Sequence, residues 1–86
     1  MRFQVAVIEK KGVACAVAIV NKSIIDNRFE AGMAMQSLNS VLPDKHIILM
    51  AYDNGGTPTY YGRSDIVQSL AATPLSDLSW REYHIE

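Results

Sequence analysis

The sequence predicts an α+β fold of order ββαββαβ: a mainly antiparallel sheet of about five strands with two helices packed on one face. Three observations lead there. Residues 3–8 and 13–20 alternate with the period of a strand. Residues 29–42 place apolar side chains at the spacing of a helix. Breaks bearing glycine or proline divide the rest into runs of strand or helix length.

Phe3, Val5 and Val7 fall on one side of the first run and Gln4, Ala6 and Ile8 on the other. The polar Glu9-Lys10-Lys11-Gly12 is a credible hairpin loop. The second strand is apolar on both sides, Val13, Cys15, Val17 and Ile19 against Ala14, Ala16, Ala18 and Val20, which predicts a central position. Beyond it lies a helix with two possible starts. Asn27-Arg28-Phe29-Glu30 has capping-box spacing, and Ser23-Ile24-Ile25-Asp26 offers a similar cap. Ala31, Ala34, Met35, Leu38, Val41 and Leu42 form the buried stripe, with Phe29 and Met33 as a flanking pair. Pro43 ends the helix because it lacks an amide proton and disfavours helical geometry before it.

Ile47 to Tyr52 is almost continuously apolar, the mark of a strand buried on both faces or at the sheet centre. Asp53-Asn54-Gly55-Gly56 is a turn signal. Thr57 to Tyr61 comes next as a strand, and Pro58 places it at an edge or at its own start. Gly62 allows a corner, and Ser64 or Asp65 caps a short helix that buries Ile66, Val67, Leu70 and Ala71. Thr73-Pro74 stops it, Leu75 and Leu78 anchor the connection, and Trp80 to Ile85 alternates as a last strand.

Bulk properties narrow the function classes. A chain of 86 residues buries only about 60–65% of the surface its unfolded form exposes, so residues 1–86 are expected to form a single domain that gains burial by pairing, as a homodimer. The net charge is −1, and the basic residues are scattered, which argues against nucleic-acid binding. No run approaches the ~20 apolar residues that span a bilayer. Lys10-Lys11 before GVACAVAIV has the outline of a signal peptide, but the preceding FQVAVIE is strand-like and acidic at its end, so the segment is read as core. The lone Cys15 cannot form an intramolecular disulfide and fits a reducing, cytoplasmic compartment.

The candidate binding residues are Asp53, Tyr60, Tyr61, Arg63 and Ser64, around two glycine-bearing turns. A strand delivered into a helix N-terminus presents free amides to an anion; Arg63 could clamp it and a tyrosine could stack on it. Adjacent strand residues point to opposite faces, so only one tyrosine should join such a site. The plain structural alternative is that Gly62 bends, Ser64 caps and Asp65 complements the helix dipole.

Other residues carry less chemistry. His46 and His84 lack further ligands at metal spacing. Cys15, between alanines, has no local cation to activate it. No nucleotide loop or calcium-loop spacing is present. Neither a catalytic set nor a cofactor or metal is therefore expected. Met33, Met35 and Trp80 are candidate contact residues for a partner. The expected function is a small cytoplasmic interaction or regulatory module, self-associating and without catalysis, with no nucleic-acid or membrane partner. The alternative is a small-molecule binding protein or small enzyme with its pocket at the Tyr60–Ser64 corner.

Overall fold

The computed structural model describes residues 2–10, 12–74, 76 and 78–84. Its elements are β1 (Arg2–Lys10), β2 (Val13–Ile19), α1 (Lys22–Asp26), α2 (Arg28–Val41), β3 (His46–Tyr52), β4 (Pro58–Tyr61), α3 (Ser64–Ala71) and β5 (Trp80–His84). The five strands form one sheet in the order β4-β3-β2-β1-β5. Three of the four pairings are antiparallel, and β2–β3 is parallel. The connection accounts for the parallel pair, since the helical segment between β2 and β3 carries the chain back across the sheet. This is the expected α+β class and mostly antiparallel sheet, with one short helix added.

Local chemistry explains the elements. β1 and β2 stay paired to Lys10 and Val13, leaving a tighter turn than Glu9–Gly12, with Gly12 at φ +74°. The Asn27 start is the one used; Ser23 is not a cap but lies inside the short helix α1, whose cap is Asn21 with no side-chain capping bond. Lys22–Asp26 makes a single turn, tied by a 2.8 Å Lys22 Nζ–Asp26 Oδ1 contact. Asn27 then breaks and restarts the helix. Its N–H donates to the Ile24 carbonyl, and its Oδ1 accepts from the amides of Phe29 and Glu30 at 3.0 and 3.2 Å. With the Asn27 N–H already engaged, the reciprocal half of a capping box has no amide to reach, and Glu30 stays exposed.

The expectation that both helices share one face is corrected. Ala16, Ala18, Val20, Ile47, Leu49 and Ala51 pack with Ala31 and Leu38 of α2, and with Ile24 and Ile25 of α1. Cys15, Val17, Ile48 and Met50 pack with Ile66 and Leu70 of α3 on the other side. Strands apolar on both faces need cover on both faces; two helices on one side would leave Cys15, Val17, Ile48 and Met50 in water. β5 runs Trp80–His84, while Ile85, Leu75 and Lys11 lie outside the described residues.

Candidate functional site

The β4–α3 corner is held together by its own residues. Tyr60 packs on the α3 side of the sheet and Tyr61 on the α2 side, as strand alternation requires. Arg63 Nε lies 2.8 Å from Asp65 Oδ1, which also accepts from the Ile66 amide at 2.9 Å. The helix cap is Arg63 itself, with no side-chain capping bond, and Ser64 is the exposed first helical residue, so neither Ser64 nor Asp65 takes the expected cap position. Gly62 crosses over β3: a Cβ there would lie 2.5 Å from Ile48 Cδ1 and 3.3 Å from the Ile47 carbonyl oxygen.

Asp53 is also engaged locally. Its Oδ1 accepts from the amides of Gly55 and Thr57, both at 2.9 Å, and its own amide donates to the Thr57 carbonyl at 2.9 Å. Gly56, at φ +79°, closes the turn on the Asp53 carbonyl. Asp53→Ala should therefore cost about 1 kcal/mol in urea unfolding, a modest loss because both amides can turn to water.

Burial pushes the Tyr60 phenol above its ordinary 10.0, and the neighbouring Tyr52 adds to the shift. The native state then keeps a proton that the unfolded chain releases, so stability is full below pH 10 and falls as pH rises through the raised value. Tyr60→Phe should flatten that alkaline decline, measured as the urea midpoint across pH. An unchanged slope would assign the decline to other groups.

The candidate contact residues separate. Trp80 packs with the α3 side. Met35 leans on the α2 core, and Met33 is 55% exposed. Met33 belongs instead with Phe29, which is 75% exposed, and with Gln36 and Ser40 on the outward face of α2. From Ala31 to Leu42 the chain carries no charged side chain. A solvated helix face normally carries charge, whereas the centres of protein interfaces are depleted of it.

Beside α2 the sheet is partly uncovered. α1 and α2 pack on β3, and α1 reaches β4. Over β1 and β5, Val7 is left 43% exposed. A cleft of about 240 Å³ opens there, lined by Val5, Val7, Ser79, Arg81 and Tyr83. A second, mostly apolar cleft of about 200 Å³ lies where Phe3 meets Ile24, Glu30, Met33, Ala34 and Ser37. Four open clefts on the described surface have no lining residue among Asp53, Tyr60, Tyr61, Arg63 and Ser64.

Phe29, Glu30, Val7 and Arg81 are surface residues that sequence reasoning does not single out as contacts. The uncharged run from 31 to 42 is the legible signal for the helix. Nothing local marks Val7 and Arg81, because their exposure depends on which strands the helices cover.

The remaining reactive groups are dispersed. His46 and His84 sit on strands separated by β2 and β1. His84 Nε2 lies 3.3 Å from Glu82 Oε1, which is also 3.9 Å from Arg2 Nη1. Cys15 is buried, with its thiol 3.4 Å from the Val13 carbonyl. Among the described residues no three His, Cys, Asp or Glu side chains gather as metal ligands, and no helix is long and apolar enough to cross a membrane. Comparison of the chain with protein-family models, curated proteins and solved structures finds no match.

Proposed function

We propose that this chain is a cytoplasmic interaction module that works by associating with a second copy of itself, with no catalytic chemistry of its own. The observation that carries the reading is the outward face of α2, where Phe29 and Met33 stand exposed on a helix without charge from Ala31 to Leu42. Exposed apolar side chains grouped where charge is sparse mark contact surfaces. Val7 of β1 is exposed on the same side of the sheet and adds to the apolar surface. The arrangement of the corner favours the same reading, because the Asp53 and Arg63 side chains already have partners within their own turns.

Phe29→Asp tests the reading. Phe29 is exposed in the single chain, so the fold should survive with an unchanged circular dichroism spectrum. A charge placed in an apolar interface should weaken association at least about tenfold, measured by sedimentation velocity over a concentration series. Association that is unaffected by the substitution would move the contact surface elsewhere.

A further inference from the structure

The two clefts beside β1 differ in chemistry. The β1–β5 cleft is lined by the apolar Val5 and Val7 together with the cationic Arg81 and the hydroxyl-bearing Ser79 and Tyr83. It would accept a carboxylate attached to an apolar body. The same chain displays such a group: Glu30 lies between Phe29 and Met33 at the start of α2, all three exposed. Among the described residues, neither Glu30 nor Arg81 has an ion-pair partner.

We propose that Phe29, Glu30 and Met33 of one copy seat in the β1–β5 cleft of another, with Glu30 of each facing Arg81 of the other across a two-fold axis. This rests on the self-association reading above and specifies its geometry. A two-fold interface must be self-complementary, since each contact occurs twice with the roles exchanged. One acid and one base on the same surface, separated by apolar side chains, meet that condition. Phe29 and Met33 cover Val7, while the reciprocal charge pairs at the rim fix orientation and exclude other registers.

Charge reversal gives a test peculiar to this arrangement. The Glu30→Arg chain carries two positive groups at the contact, and the Arg81→Glu chain carries two negative ones. Each alone should dimerise roughly 100-fold more weakly than the unaltered chain, because both pairs become like-charged. Mixed in equal amounts, they should form a species of two-chain mass in sedimentation velocity, since both contacts are then complementary. The double variant Glu30→Arg/Arg81→Glu should also dimerise, since each of its pairs is restored with the signs exchanged.

Two results would overturn the pairing: reversed chains that dimerise as tightly as the unaltered one, or a mixture that associates no better than its components. If Phe29→Asp still abolishes association in that case, the α2 surface stands and only the Glu30–Arg81 geometry falls. A chain that stays monomeric at millimolar concentration overturns both.

Discussion

Leu38→Ala should cost the fold about 3 kcal/mol, the usual size of a large-to-small change at a sealed site. Leu38 is the one large α2 side chain that is fully buried; Ala31 is buried but small, and Ala34, Met35 and Leu42 are half-covered. The attachment of α2 to the sheet therefore depends on Leu38 more than on any other side chain. Its removal leaves a cavity in the cluster it shares with Ala16, Ala18 and Leu49, on strands that cannot collapse to fill it. Small domains shift in melting temperature by about 4–8 °C for each kcal/mol, so a drop of about 15–20 °C is expected. Met35→Ala, at a half-exposed position on the same helix, should lose less than half as much. If both substitutions cost the same, Leu38 is not the anchor, and the support for the outward face of α2 must be sought elsewhere.

Gly62→Ala should cost about 2–3 kcal/mol through overpacking and an unfavourable backbone. The added methyl would lie 2.5 Å from Ile48 Cδ1 and 3.3 Å from a backbone oxygen, at φ +156°, which L side chains rarely adopt. Ile48 is itself buried against α3 and has little room to swing aside. Ile48→Val removes the clashing carbon, so the pair should be coupled. Ile48→Val should cost about 1 kcal/mol in the natural background and close to nothing once residue 62 is alanine. Strict additivity in urea unfolding would contradict the close approach. The result bears on function too, because it distinguishes a corner built to pack α3 on β3 from one built to receive a ligand.

Much of the architecture is legible in the sequence because it rests on short-range physics. Alternation marks the strands of residues 3–8 and 13–20, Asn27 marks the helix start, and Asp53-Asn54-Gly55-Gly56 marks a hairpin turn whose hydrogen bonds are those expected of such a turn. The side taken by α3 is also written in the sequence, in the double apolar faces of Val13–Val20 and Ile47–Tyr52. A hairpin-plus-helix pattern suggests one covered face, and that general rule conflicts with the particular composition of the central strands. The composition decides, because bare Val17, Ile48 and Met50 would lose their share of the hydrophobic effect.

The candidate surface is less legible for a different reason. Phe29 and Met33 are visible as a flanking pair, but a flank can lie inward or outward by a small rotation of the helix. Leu38 and Ala31 fix that rotation and turn Phe29 out. The corner residues draw attention because polar and aromatic types cluster there in sequence. In space Tyr60 and Tyr61 divide between the two faces, and Asp53 and Arg63 bond within their own turns. Arg81 and Val7 are far apart in sequence and meet only through the pairing of β1 with β5, which puts Arg81 opposite Val5.

The most direct measurement is the amide spectrum of the unaltered chain recorded by NMR over a concentration series with no ligand added. Self-association through α2 and the β1–β5 cleft predicts shifts that grow with concentration and cluster on Phe29–Val41, on Val5 and Val7, and on Arg81 and Tyr83, with residues 53–64 unmoved. A spectrum independent of concentration, or shifts gathered on residues 53–64, would contradict it.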